Sequence, residues 1–160
     1  MMRIITMKRG NKRMAGSDPL SVLVVDEEPS ILAFLARILD ANGIRALLAR
    51  SAEEALGIAE RGYIPINLIL TDVTVREALS DSVSESAGGQ LVARLRQIRP
   101  EARALYMSAY TDAGMIRIQL MNRQRTPGDK TAGGDLIASI RAEAIASIVA
   151  HAGGESLMQR

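Results

Sequence analysis

The apolar positions of the chain fall into short continuous runs that alternate with stretches of helical period. Ser21-Val22-Leu23-Val24-Val25 is the first run, and it stops abruptly at Asp26-Glu27-Glu28-Pro29. A β-branched run without polar alternation suits a strand covered on both faces, as in a parallel sheet. Pro29 fits the first turn of a helix, and Ile31, Leu32, Leu35, Ile38 and Leu39 follow at helical spacing until Asn42-Gly43 ends it. Ile44 to Leu48 is a second strand candidate. Ser51-Ala52-Glu53-Glu54 has capping-box form and opens a helix through about Arg61. Leu68-Ile69-Leu70-Thr71 is the third apolar run, ending at Asp72. A helix is expected from Gln90 to Ile98, with Leu91, Val92, Leu95 and Ile98 on one face and Pro100 closing it. Arg103 to Met107 then gives a fourth strand that ends at Ser108.

The last third is less regular. In Met115 to Met121, alternation of Ile116, Ile118 and Leu120 with Arg117 and Gln119 fits an exposed edge strand. The same residues, with Ile116 and Leu120 four apart and Met115 three before Ile118, equally fit a helix. Residues 125–134 (RTPGDKTAGG) have loop composition, and Leu136 to Val149 reads as a final helix with a Gly-Gly tail after it. Residues 1–20 read as a disordered basic leader, 21–150 as one domain and 151–160 as a tail. Within the domain, residues 76–87 (REALSDSVSESA) lack any apolar period and read as an inserted loop.

Regular alternation of strand and helix predicts βαβ units, right-handed crossovers and a parallel sheet covered on both sides. In such α/β sheets function gathers beyond the carboxyl ends of the strands. Three predicted strand ends carry polar groups: Asp26 with Glu27, then Asp72, then Ser108.

Composition narrows what those groups can do. The 160 residues include no Cys and a single His, His151, which removes thiolate and multi-His metal sites and His-based catalysis. Aromatic residues are only 2% of the chain, too few for stacking platforms that grip single-stranded nucleic acid. The net charge is +2, but Arg3, Lys8, Arg9, Lys12 and Arg13 all precede the first acid, Asp18, so the rest of the chain is mildly acidic. The leader offers weak, salt-dependent attraction to polyanions and no sequence reading, so no specific nucleic-acid partner is expected. No apolar run has the length of a membrane span, and a cytoplasmic protein without membrane attachment is expected.

Three carboxylates gathered at the top of a sheet repel one another unless a divalent cation sits among them, and oxygen ligands suit Mg²⁺ better than zinc. A carboxylate can act as a nucleophile toward phosphorus, giving an acyl phosphate. A hydroxyl and an ammonium nearby would bind the phosphoryl oxygens, and Ser108 and Lys130 are available for those roles.

With these residues the chain resembles the response-regulator receiver family of two-component signalling, over roughly residues 20–150. VLVVDEEPSI is similar to the family's first strand and acidic pair, ILTDV to its third strand and phosphoacceptor, and GGQLVARLRQIRPEARALYMSAYTD to receivers of hybrid sensor kinases. The resemblance implies a doubly wound, flavodoxin-like (βα)5 fold. It implies that Asp72 accepts a phosphoryl group from a histidine kinase or a histidine phosphotransfer protein. Mg²⁺ would be held by Glu27, Asp72 and the backbone carbonyl of Thr74, with Asp26 acting directly or through water. Ser108 takes the place of the phosphate-sensing hydroxyl, Lys130 falls at the usual distance for the phosphate-binding lysine, and Tyr110 is available as a switch aromatic. No enzymatic role is implied beyond self-catalysed phosphotransfer and dephosphorylation.

The chain also departs from the family pattern. Arg76 stands where a proline is usual, residues 76–87 intervene before the expected glycine, and Thr131 follows Lys130 where a proline is usual. Arg125-Thr126-Pro127-Gly128-Asp129 cannot form a buried central strand, so the last strand is degenerate or displaced into residues 115–121. Two functions follow: a stand-alone, phosphorylated receiver signalling through protein contacts, or a pseudo-receiver binding module that phosphorylation does not regulate. An unpaired edge of the fourth strand would favour a homodimer through residues 103–150.

Overall fold

The computed structural model describes residues 18–72, 87–121 and 134–155. The elements are β1 (Ser21–Val25), α1 (Pro29–Ala41), β2 (Arg45–Ala49), α2 (Ala52–Arg61), β3 (Leu68–Asp72), α3 (Ala87–Ile98), β4 (Arg103–Asp112), β5 (Met115–Met121) and α4 (Gly134–Glu155). The five strands form one sheet in the order β2-β1-β3-β4-β5. β1, β2, β3 and β4 are parallel, and β5 is antiparallel to β4.

Strand alternation sorts the core into two layers. Val22, Val24, Leu68, Leu70, Leu105 and Met107 pack against α1 and α4 through Leu35, Leu39 and Ile140. Leu23, Val25 and Ile69 pack on the other side against Ala55 and Ala59 of α2 and Leu91, Val92 and Leu95 of α3. The central strands are buried on both faces, which is why they read as unbroken apolar runs. Leu20, assigned to the leader by its polar surroundings, already packs on the first layer, and its carbonyl accepts the Arg45 N–H at 2.7 Å.

α3 begins at Ala87, three residues before Gln90 and at the last residue of the expected inserted loop. Two further boundaries differ from the sequence expectation. β4 does not end near Ser108 but runs on to Asp112, because Tyr106 to Asp112 pair with Met121 to Met115. Residues 115–121 are therefore a strand, and the open edge expected on β4 lies on β5 instead. α4 continues past Val149 to Glu155 and takes in Gly153-Gly154, where a tail was expected. No described helix is long and apolar enough to cross a membrane.

The β4–β5 turn is tight. Ala113 and Gly114 both have positive φ, 48° and 76°, the pattern of a type I′ hairpin turn. Glycine reaches that region freely, whereas alanine pays a steric penalty of about 1 kcal/mol. Ala113→Asn creates the Asn-Gly pair such turns favour, and is expected to raise unfolding stability by about 0.5 kcal/mol, read as a higher denaturant midpoint.

Candidate functional site

From β1 the chain moves outward to β2 on one side, and β3 lies on the other, so the strand order reverses between β1 and β3. Ligands of open α/β sheets bind at such a switch point, beyond the carboxyl ends. Asp26 follows β1 directly and Asp72 is the last residue of β3, so both acids sit there. A cavity of about 490 Å³ opens between them, with Asp26, Glu27, Arg50, Asp72, Tyr110 and Thr111 among its lining residues.

Asp26 is the most constrained of these. Its N–H donates to the Ala49 carbonyl at 3.1 Å, which ties the end of β1 to the end of β2. The residue is only 6% exposed. Oδ1 accepts the Glu28 N–H at 2.8 Å, while Oδ2 is buried with no hydrogen-bond partner among the described residues. Burial raises its pKa above the ordinary carboxylate range; the Glu28 N–H opposes this, and the charges of Glu28 and Glu27 add to it.

Glu27 and Glu28 are exposed. Glu28 caps α1, its Oε1 accepting from the Ser30 N–H and hydroxyl, so it lines the cavity while serving the helix. Asp72 is half-buried and lies opposite Met107 in register, so β4 extends well past it. That projecting β4–β5 hairpin supplies one wall of the cavity through Ala109, Tyr110 and Thr111. Arg50 and Ser51, between β2 and α2, and Ala52, the first residue of α2, also line it.

Asp26, Glu27, Asp72 and Tyr110 therefore share one cavity, whereas Ser108 is not among its lining residues. The reason is the hairpin: β4 does not turn into a loop at Ser108 but continues as paired strand, Ser108 lying opposite Gln119. Tyr110 and Thr111 stand at the cavity in its place. Thr74, Lys130 and the 76–86 part of the insertion lie outside the described residues. Neither Arg50 nor Thr111 lies at a strand end that the apolar runs predict, so neither is marked by the sequence as a site residue. Arg50 directly follows β2 and reaches the cavity because β2 lies beside β1.

A divalent cation is compatible with this arrangement. Among the described residues no three acidic or His groups converge closely enough to form a complete ligand cage. Mg²⁺ keeps several waters and uses only one or two carboxylates, and the orphaned Asp26 Oδ2 is an oxygen of the required kind.

No protein-family model matches the sequence, and no curated protein matches it. The chain is similar in structure to adenylate cyclase from Rhodopirellula baltica, with a TM-score of 0.59 and 17% identity over 89% of this chain and 99% of that one. The fold is flavodoxin-like. Within the flavodoxin-like proteins, receiver domains are among the solved neighbours of this chain. The receiver domain of the hybrid histidine kinase CckA is 29% identical over 54% of this chain and 72% of its own, with a TM-score of 0.44. A response regulator from Burkholderia pseudomallei, solved with a phosphorylated aspartic acid, a calcium ion and citrate, is 28% identical over 59% of this chain and 49% of its own, with a TM-score of 0.45. Further receiver domains match at 21–24% identity. The flavodoxin-like order is kept here with one change: the crossover that would make the fifth strand parallel is replaced by a hairpin.

Proposed function

We propose that this chain is a response-regulator receiver whose Asp72 accepts a phosphoryl group from a histidine kinase or histidine phosphotransfer protein in the cytoplasm. The observation that carries the reading is the placement of Asp72 beside the buried, half-partnered Asp26 in one cavity at the β1/β3 switch point. In the transfer, a carboxylate oxygen of Asp72 forms a bond to phosphorus as the phosphorus–nitrogen bond of the donor phosphohistidine breaks. The imidazole leaves with that electron pair. Mg²⁺ would be held by Glu27, Asp72 and the backbone carbonyl of Thr74, with Asp26 acting directly or through water, and would supply charge neutralisation for the phosphoryl oxygens. Turnover is limited to this phosphotransfer and to loss of the phosphoryl group to water. The domain acting in this way spans residues 21–150. The test is incorporation of phosphate from a small phosphodonor with Mg²⁺, compared between wild type and Asp72→Asn on a phosphate-affinity gel.

A second reading is a pseudo-receiver that binds partners without phosphorylation, and the antiparallel β5 favours it, because the strand that transmits the signal in a receiver has reversed direction. Tight beryllofluoride binding with Mg²⁺ would reject that reading. Output passes through the surface in either case. β5 ends the sheet, and α4 exposes Ile145, Ile148 and Val149, which supports self-association through residues 103–150. Sedimentation velocity is expected to show a dimer at high concentration, and a strictly monomeric profile would reject it.

A further inference from the structure

We infer that Arg50, directly after β2, is the cation that binds the phosphoryl oxygens on Asp72. The inference rests on the phosphoacceptor reading above and assigns a residue that reading leaves open.

Asp26, Glu27, Glu28 and Asp72 all line the cavity, and Arg50 is the single basic residue among the described lining residues. An acyl phosphate on Asp72 carries close to two negative charges where the carboxylate carried one, so an arrangement balanced only by a divalent cation remains strongly anionic. A guanidinium is suited to the remaining charge, since its planar fork binds two phosphoryl oxygens at once and stays charged at any relevant pH.

The backbone fixes Arg50 at the correct place. Asp26 N–H bonds to the carbonyl of Ala49, so Arg50 follows directly from the residue that anchors the key acid. The N–H of Arg50 itself donates to Glu54 Oε2 at 2.7 Å, while Glu54 N–H donates to Ser51 Oγ at 3.2 Å. The capping box at the start of α2 is thus displaced by one residue, its glutamate reaching Arg50 rather than the N-cap. The Arg50 side chain is exposed, and among the described residues its guanidinium has no ion pair. It is held at the backbone and available at the tip.

The direction of β5 carries its own carboxyl end away from Asp72. A lysine carried at the carboxyl end of a parallel fifth strand would arrive beside Asp72. Here β5 starts level with Asp112 and ends at Met121, opposite Tyr106, so it runs toward the amino ends of the parallel strands. Among the described residues that line the cavity, the cation comes from the residue directly after β2, on the opposite side from β5.

The experiment is a titration of the full chain with beryllofluoride and Mg²⁺, followed by fluorine NMR, using wild type, Arg50→Ala, Arg50→Lys and Lys130→Ala. Arg50→Ala is expected to weaken binding about ten-fold or more, as loss of a charge-assisted hydrogen bond does. Arg50→Lys should recover part of that loss, and Lys130→Ala should stay near wild type. Because the side chain is exposed, the melting temperature of Arg50→Ala should be unchanged. Wild-type affinity in Arg50→Ala overturns the inference, as does loss of binding in Lys130→Ala with Arg50→Ala intact. Slower labelling by a small phosphodonor with unchanged beryllofluoride affinity would place Arg50 in donor steering and also overturn it. A wild type that binds no beryllofluoride and takes up no phosphate removes the phosphoacceptor reading itself, and the assignment of Arg50 falls with it.

Discussion

Asp72→Asn is expected to reduce phosphate incorporation to background, at least a hundred-fold, while the protein still folds. The amide keeps the size of the side chain and its position at the end of β3, opposite Met107, but an amide is not a nucleophile toward phosphorus. Asp72 is half-buried rather than part of the apolar layers, so the substitution leaves both cores intact. Intact-mass spectrometry after exposure to a small phosphodonor and Mg²⁺ gives the result directly. Wild type should gain one phosphoryl mass and the variant none. Equal labelling of the two would place the acceptor elsewhere and remove the functional reading.

Asp26→Asn is expected to act in two opposite directions. Without metal it should stabilise the fold at neutral pH by about 1 kcal/mol, because it removes a buried charge whose Oδ2 has no partner while keeping an acceptor for the Glu28 N–H. The sign follows from the raised pKa. A carboxyl that holds its proton more tightly when folded favours the native state below the ordinary carboxylate pKa, and that contribution is lost as pH rises through the folded value. The advantage of Asp26→Asn should therefore shrink as the pH falls below the carboxylate range. With Mg²⁺ the order changes. A cation that binds only the native state raises the melting temperature of the wild type with concentration, and the variant should respond about ten-fold more weakly. Thermal melts across pH, with and without Mg²⁺, check both halves. A variant as sensitive to Mg²⁺ as wild type would separate Asp26 from any cation site.

These effects meet at the carboxyl edge of the sheet, and that edge was readable before any coordinates. The runs ending at Asp26 and Asp72 had to be buried parallel strands because they lack polar alternation, and a parallel order brings their ends together. The two-layer core followed from the same runs. The final third was different. Met115 to Met121 satisfies a strand period and a helix period equally well, and only its partner decides between them. Pairing with the extended β4 makes it a strand, moves Ser108 into the middle of a hairpin, and brings Tyr110 and Thr111 to the cavity instead. The place of Arg50 at the cavity likewise depends on β2 lying beside β1, which no local pattern states.

By itself the sequence determined the alternation of strands and helices, the parallel α/β class and the acids at the ends of the first and third strands, because each is written in periodicity or in the residue that interrupts it. The tertiary structure alone decided the direction of β5, the wall that the hairpin builds over Asp72, the unpartnered oxygen of Asp26 and the position of Arg50 across the cavity. Those are properties of pairing between segments far apart in the chain, where burial and register, rather than local preference, choose the outcome.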